Sequence, residues 1–174
     1  MKYAISRAKA AAKHGEVPIG AVIVKDNEII ATGRNMREAK KNALHHAEVI
    51  AIDRACKKTG AWRLIDCTLY VTMEPCPMCA GAIVNSRIKR VVFGCYDKKA
   101  GALGSVFDLS NYPLNHKYEI VGGVMEKECA SLLSDFFAEL RKRPKGQKYP
   151  SQSVEVLWVC LVFISVLSAF SLCV

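Results

Sequence analysis

The sequence predicts an α/β domain, in which one sheet is covered by helices on its faces. Two patterns support this fold class: short apolar runs of the kind found in buried strands, and segments whose apolar residues recur at helical spacing. The two kinds of segment alternate along the chain, as they do in sheets with helical crossovers. A chain of 174 residues is also long enough to bury the core of one such domain.

The first part of the chain predicts a helix followed by a β-hairpin. Residues 1–14 are rich in Ala and Lys, and Gly15 lies where such a helix would end. Asp26 and Asn27 are typical of a tight turn between strands. They separate two β-prone runs, residues 19–24 and 28–32.

The remaining segments predict further helices, strands and loops. Apolar residues recur at helical spacing in segments 46–57 and 126–142, and prolines at 75 and 77 mark the start of a helix over 76–85. Apolar runs typical of strands are segments 69–72, 90–94 and 119–121. The predicted loops are 34–45 and 97–117, of which the second has a length often found in functional loops.

Charge and cysteine content narrow the class of protein. The net charge is +9, and Glu155 is the only charged residue beyond Lys148, so residues 1–148 carry +10. A domain this basic favours a polyanionic partner such as nucleic acid, although a solvated basic surface would have the same composition. No secretory signal precedes the eight cysteines, because Met1 leads directly into a polar, Lys-rich segment. We therefore expect a cytoplasmic protein with free thiols and metal ligands rather than disulfides.

The pair Cys76 and Cys79 lies at the start of a predicted helix. Two cysteines three residues apart share one face of a helix, whose free N–H groups and positive partial charge favour the metal-binding thiolate form. Such a pair is half of a zinc site, but a redox dithiol would use the same spacing. The pair therefore needs further ligands before it specifies a metal.

His46 offers a third ligand atom, so that Cys76, Cys79 and His46 form a set of three. A structural zinc site closes with four protein ligands, whereas a catalytic site leaves the fourth position to water. Four more residues offer a ligand atom without paired spacing, namely His45, Cys67, Cys95 and His116. The sequence therefore predicts one open, hydrolytic Zn²⁺ site per subunit.

Glu48 lies two residues beyond His46, at the start of the same predicted helix. A carboxylate in this position can take a proton from a zinc-activated water and deliver it to a substrate nitrogen without ligating the metal. Alone, Glu48 would be a favourable charge in a first helical turn. Together with Pro75 and the two cysteines, it completes the His-x-Glu and Pro-Cys-x-x-Cys signature of zinc deaminases.

Longer stretches extend this likeness well beyond the zinc motif. They are Glu16-Val17-Pro18-Ile19-Gly20-Ala21-Val22, Gly33-Arg34-Asn35, residues 69–94, Asp97-Lys98-Lys99-Ala100-Gly101-Ala102-Leu103-Gly104-Ser105, and Leu132-Leu133-Ser134-Asp135-Phe136-Phe137. With these stretches, the chain from residue 3 to about 142 resembles the bacterial tRNA-specific adenosine deaminases of the TadA type.

The resemblance implies a cytidine-deaminase-like, three-layer fold with a mixed five-stranded sheet between helices, assembled as a homodimer. It implies that the substrate is adenosine at the wobble position of a tRNA anticodon stem-loop, which is deaminated to inosine. By position, the zinc ligands match His46, Cys76 and Cys79, and the proton shuttle matches Glu48. The residues that contact the flipped adenosine and its ribose match Asn35 and Asp97.

Other functions share parts of this pattern. A free cytosine, cytidine or guanine deaminase of nucleotide salvage would carry the same zinc motif. A catalytically inactive module that binds RNA or is tethered to a membrane would keep the fold without the chemistry. The basic charge and the stretch 97–105 favour RNA as substrate, and the intact Glu48 argues against an inactive module. Basic residues expected to hold phosphates are Arg34, Arg37, Lys40, Lys41, Lys98, Lys99 and 141–143.

A hydrophobic tail, residues 149–174, follows the predicted deaminase domain of residues 1–148. Within it, residues 157–174 carry no charge and comprise fifteen apolar residues and three serines. This length is near the lower limit for a membrane-spanning helix, and basic residues precede it. The tail is a membrane anchor, an added core element or an extension without function, and the family resemblance does not cover it.

Overall fold

The structure, a computed structural model, describes residues 1–144, so the hydrophobic tail lies outside the described range. The strands are β1 Gly20–Lys25, β2 Glu28–Arg34, β3 Thr68–Met73, β4 Arg90–Cys95 and β5 Glu119–Val121. The helices are α1 Lys2–Lys13, α2 Arg37–Lys40, α3 Ala47–Thr59, α4 Pro77–Ser86 and α5 Glu126–Lys142. The strands form one sheet in the order β2-β1-β3-β4-β5. β1 is antiparallel to both β2 and β3, whereas β3, β4 and β5 run parallel to one another, which confirms the mixed five-stranded sheet.

The hairpin of β1 and β2 turns where the sequence predicted. Asp26 and Asn27 both adopt the left-handed conformation, with φ of 48° and 62°. A two-residue turn of this kind matches the twist of the strands that it joins. The register shifts between Ile23 and Val24, which marks an irregularity in the ladder.

Small residues let α1 and α3 pack closely against opposite faces of this hairpin. A Cβ on Gly20 would lie 2.1 Å from the carbonyl oxygen of Ala4 in α1. A Cβ on Gly33 would lie 2.0 Å from the carbonyl oxygen of Ala47 in α3. Gly33 pairs with Ala21, the residue after Gly20, and successive residues of a strand face opposite sides. With α5 beside α1 and α4 beside α3, the predicted three-layer arrangement is confirmed.

The parallel strands β3 and β4 determine where the site lies. Their apolar side chains are fully buried between the helical layers, as Leu69, Val71 and Phe93 show. Burial of each such side chain stabilises the fold by about 1.5–3 kcal/mol. The two strands end side by side, with Met73 paired to Cys95. The segments that follow them therefore leave the sheet at the carboxyl ends of the strands, which is where open α/β sheets bind their ligands.

The two predicted loops contain more structure than expected. Segment 34–45 includes the short helix α2, which begins where the buried Glu16 carboxylate accepts hydrogen bonds from the amides of Glu38 and Ala39. Because this partner lies about twenty residues away in sequence, local patterns gave no sign of the helix. Segment 97–117 includes a 3₁₀ turn at Leu109–Asn111. No helix among residues 1–144 has both the length and the apolar character needed to cross a membrane.

Candidate metal centre and active site

The predicted metal ligands meet where the N-termini of α3 and α4 converge. His46 is the residue directly before α3, and Cys76 is the residue directly before α4. Both have an extended backbone, with ψ of 154° and 171°. Pro77 begins α4 at a position where its missing N–H costs no hydrogen bond. Cys79 is fully buried in the first turn of the same helix.

The distances between these side chains fit a zinc ion. His46 Nδ1 lies 3.7 Å from the Sγ atom of Cys76 and 3.5 Å from the Sγ atom of Cys79. The three ligand atoms all lie within 4.8 Å of one another. Tetrahedral ligands at about 2.0 Å for nitrogen and about 2.3 Å for sulfur would lie about 3.5 Å apart. One imidazole and two thiols are also the donors that zinc prefers.

The cluster has three members rather than four. No further His, Cys, Asp or Glu within residues 1–144 joins it, so the alternative fourth ligands stay apart. The Cys95 thiol donates to the carbonyl oxygen of Thr72, and burial raises the pKa of Cys95 to about 11. His116 Nε2 lies 2.8 Å from the carbonyl oxygen of Ile88. Three protein ligands are the set that catalytic zinc sites use, with the fourth position open.

Hydrogen bonds within the cluster favour the thiolate form of Cys76. A hydrogen bond from the Cys79 thiol, aided by the His46 ring, outweighs burial and lowers the pKa of Cys76 to about 4. The same hydrogen bond, together with burial, raises the pKa of Cys79. The contact with Cys76 also raises the pKa of His46. One thiolate is therefore present at neutral pH, and a bound divalent cation would displace the protons that remain.

Glu48 lies in the first turn of α3 and is only 4% exposed. Its Oε2 atom is buried and has no hydrogen-bond partner among the described residues. Burial raises the pKa of Glu48, although the nearby His46 and the Cys79 thiol act in the opposite direction. A buried, unpaired carboxylate oxygen is costly unless a proton or a polar ligand satisfies it. Its position beside the three ligands suits a group that transfers protons.

The two predicted substrate-binding residues follow two different strands. Asn35, which is 4% exposed, follows β2, and the amide of the next residue, Met36, donates to the carbonyl oxygen of His45 at 3.0 Å. Asp97 follows β4, and its amide donates to Glu74, two residues before Cys76, at 3.0 Å. The structure therefore brings both segments beside the three-residue cluster.

Two buried carboxylates that the sequence did not single out organise these segments. Glu16 is 1% exposed and accepts hydrogen bonds from the amide of Ala39 at 2.8 Å and from Asn35 Nδ2 at 3.5 Å. Glu74 is 3% exposed and accepts from the loop that follows Asp97. Burial would raise the pKa of Glu74, but hydrogen bonds from Ser105 and the loop amides hold it below its usual range. The only sequence signal was that each acidic residue lies in a resembling stretch.

The predicted phosphate-binding residues differ in the contacts that they make. Arg34 donates to the carbonyl oxygen of Ala10 and lies 2.8 Å from His14 Nδ1, so it ties β2 to α1. Lys41 forms an exposed ion pair with Glu38. Arg37 is exposed and begins α2 directly after Met36, whose amide donates to the carbonyl oxygen of His45, the residue before His46.

The chain is similar to known deaminases over most of its length. The MafB19-like deaminase family matches residues 1–141. The tRNA-specific adenosine deaminase of Bacillus subtilis (strain 168) is 53% identical over 149 residues, which cover 85% of this chain and 92% of that protein. The chain belongs to the family of bacterial tRNA-specific adenosine deaminases. The predicted resemblance is thereby confirmed.

Solved structures support the conclusion that this chain belongs to the tRNA-specific adenosine deaminases. A structure from a study of A-to-I editing by tRNA:A34 deaminases at the wobble position matches with a TM-score of 0.74 and 40% identity. That match covers 76% of this chain and 97% of the solved one. A guanine deaminase from Bacillus subtilis matches with a TM-score of 0.51 and 34% identity, over 85% and 95% of the two chains. The tRNA deaminase is thus the nearer of these two in both fold and sequence.

Proposed function

We propose that the protein hydrolyses adenosine to inosine at the wobble position of a tRNA anticodon. The observation that carries this proposal is the cluster of His46, Cys76 and Cys79 beside the buried Glu48, whose Oε2 atom has no hydrogen-bond partner among the described residues. It lies in a chain that is 53% identical to a tRNA-specific adenosine deaminase. In this proposal the three ligands hold one Zn²⁺ per subunit, and the fourth position is left to water.

Glu48 moves the protons that the reaction requires. When bound, zinc would lower the pKa of a water molecule to about 7 and so supply hydroxide at neutral pH. Hydrolysis forms a C6–O bond and breaks the C6–N6 bond of adenine, which releases ammonia. Glu48 accepts the proton lost by water and transfers it to N1 of the ring, and it later moves the remaining proton of the added hydroxyl group to the leaving nitrogen. Its raised pKa, caused first by burial, suits a group that must both accept and donate near neutral pH.

The substrate enters as a nucleotide turned out of an RNA loop. A base must leave its stack to reach a buried carboxylate and the ligands around it, and bases in single-stranded loops do so at low cost. Asn35 and Asp97 contact the adenosine and its ribose from the two segments beside the cluster. Arg37 holds a phosphate at the rim, because it is exposed and lies near His46.

We also propose that the protein works as a homodimer in the cytoplasm, as the family resemblance implies. The charge of +10 on residues 1–148 would draw an RNA substrate toward the assembly. Light scattering of the zinc-loaded protein at micromolar concentration should give twice the mass of one chain. A mass of one chain, with full activity, would remove the dimer from the proposal.

A product assay with the full-length, zinc-loaded protein tests the reaction. The substrates are an anticodon stem-loop with adenosine at the wobble position, free adenosine, free cytidine and free guanine, and the products are identified by mass. Inosine from the stem-loop, with little change in the free compounds, would support the proposal. Uridine or xanthine with an unchanged stem-loop would keep the zinc chemistry and move the protein to nucleotide salvage.

A further inference from the structure

The side chain of Glu74 is the centre of a hydrogen-bond network outside the ligand cluster. Its Oε1 atom accepts from the amides of Leu103 and Ser105, each at 3.0 Å. Its Oε2 atom accepts from the amide of Asp97 at 3.0 Å and from the hydroxyl of Ser105. Four donors therefore converge on one carboxylate that is 3% exposed. Hydrogen bonds to a buried, charged acceptor are among the stronger ones in proteins.

The same loop lies directly against the backbone of the cysteine motif. The amide of Ala102 donates to the carbonyl oxygen of Pro75 at 2.9 Å. A Cβ on Gly101 would lie 2.3 Å from Oε2 of Glu74, so only glycine lets the loop approach the carboxylate this closely. The amide of Glu74 in turn donates to the carbonyl oxygen of Cys95, which anchors it to the end of β4.

We propose that Glu74 is a positioning residue, which holds Asp97 at a fixed place relative to Cys76 and Cys79. The link is short: Glu74 is joined to Cys76 through one residue, and its Oε2 atom binds the Asp97 amide. This inference rests on the proposed function, in which the Asp97 side chain contacts the substrate. Glu74 itself touches neither the substrate nor the metal and acts only through the loop.

The substitution Glu74→Gln separates the Asp97 link from the others. An amide has one acceptor oxygen and one donor NH₂ group. The oxygen will take the place of Oε1, where two backbone N–H groups require an acceptor. The NH₂ group then takes the place of Oε2, where the Ser105 hydroxyl can accept but the Asp97 N–H cannot. Glu74→Gln therefore loses the bond to Asp97 and keeps the bonds to Leu103 and Ser105.

Amide hydrogen exchange measured by NMR on the zinc-loaded protein tests this directly. In Glu74→Gln, we expect exchange at the Asp97 amide to rise by about tenfold or more, the effect of losing one hydrogen bond to a charged group. Exchange at the Leu103 amide should change much less, and zinc content should stay at one per subunit. An Asp97 amide that remains as protected as in the wild type would overturn the proposal. This measurement does not depend on which substrate the enzyme uses.

A double-mutant cycle on kcat/KM for the stem-loop tests whether Glu74 acts through Asp97. Glu74→Gln alone should lower kcat/KM between about tenfold and about a hundredfold. In an Asp97→Ala background it should have no further effect, because the side chain that it positions is gone. Effects that multiply would mean that Glu74 does not act through Asp97, and the proposal would fail.

Two matched variants serve as controls. Ser105→Ala removes the hydroxyl that donates to Oε2 of Glu74 but leaves the hydrogen bond from the Asp97 amide to that oxygen. We therefore expect kcat/KM to change by less than about threefold. Thr72→Val removes a buried hydroxyl on β3 that accepts from the Gly20 amide, and it should cost stability without changing Asp97 exchange. If the wild type makes no inosine, the proposed function fails, while the exchange data still decide the role of Glu74.

Discussion

At the scale of single residues, Glu48 is set apart by its environment, since it is a buried carboxylate with one unpaired oxygen. We expect Glu48→Ala to keep zinc, because Glu48 is not one of the three clustered ligands. Turnover should fall by about 10²–10⁴-fold, the usual effect of losing a general acid and base. Metal analysis measures the zinc content, and kcat on the stem-loop measures the turnover. Retained activity would remove Glu48 from the mechanism.

The two cysteines of the cluster should behave in the opposite way. We expect Cys76→Ala to lose zinc and to lower the melting temperature, because metal binding contributes to folding where the ligands are held together. Cys56→Ala is the matched control, since Cys56 is a free cysteine outside the cluster. It should keep one zinc per subunit. Equal zinc loss in both variants would point to general misfolding instead.

Cys129 should make the stability of the protein depend on pH in the alkaline range. The thiol is buried between α5 and β4, and burial raises its pKa from 9.0 to about 11. A raised pKa in the folded state means that the contribution to stability is present below pH 9 and is lost as the pH rises toward 11. We expect the free energy of unfolding to fall across this range, by at most about 1.4 kcal/mol per pH unit from this group. The slope should be smaller in Cys129→Ala, and an unchanged slope would contradict the assignment.

At the scale of elements, the contact between β2 and α3 supports the ligand cluster. Gly33→Ala would place a Cβ 2.0 Å from the carbonyl oxygen of Ala47, the residue after His46. We expect this overpacking to lower the stability by about 1–3 kcal/mol and to weaken zinc binding, because α3 must shift together with His46. Chemical denaturation and competition with a chelator measure the two effects.

Gly81→Ala is the control for that variant. Gly81 lies within α4, and a Cβ there would meet nothing within 4 Å. Alanine is a better helix former than glycine, so stability should stay the same or rise by up to about 1 kcal/mol. If both variants lost stability equally, the close contact at Gly33 would not be the cause.

The sequence allowed most elements to be predicted because their signals are local. Apolar residues at helical spacing indicate α3 and α5, the prolines at 75 and 77 indicate the start of α4, and Asp26-Asn27 indicates the hairpin. α2 was missed because its N-terminus is capped by Glu16, which lies on another segment. For the same reason, motif spacing indicated the ligands but not Glu74, whose role depends on loop contacts about thirty residues away.

At the scale of the whole molecule, the catalytic apparatus should be independent of the hydrophobic tail. All proposed site residues lie between Asn35 and Asp97, well before residue 149. We expect a chain of residues 1–148 to match the full chain in zinc content and in kcat/KM for the stem-loop. Recovery of the full chain in the soluble fraction without detergent would exclude a membrane anchor. A truncated chain that loses activity would instead give the tail a role in the fold.

The antiparallel pairing of β1 with β3 has a consequence for the newly synthesised chain before it has folded. Ala21 pairs with Val71, 50 residues later, so this pairing must close a long loop. His46 lies inside that loop and Cys76 lies three residues after the end of β3, so we expect the three donors to meet only once β1 and β3 have paired. In a chain that has not yet folded, both thiols lack the metal and are open to oxidation. We therefore expect the protein to be most sensitive to oxidants while it is being synthesised, before zinc can bind.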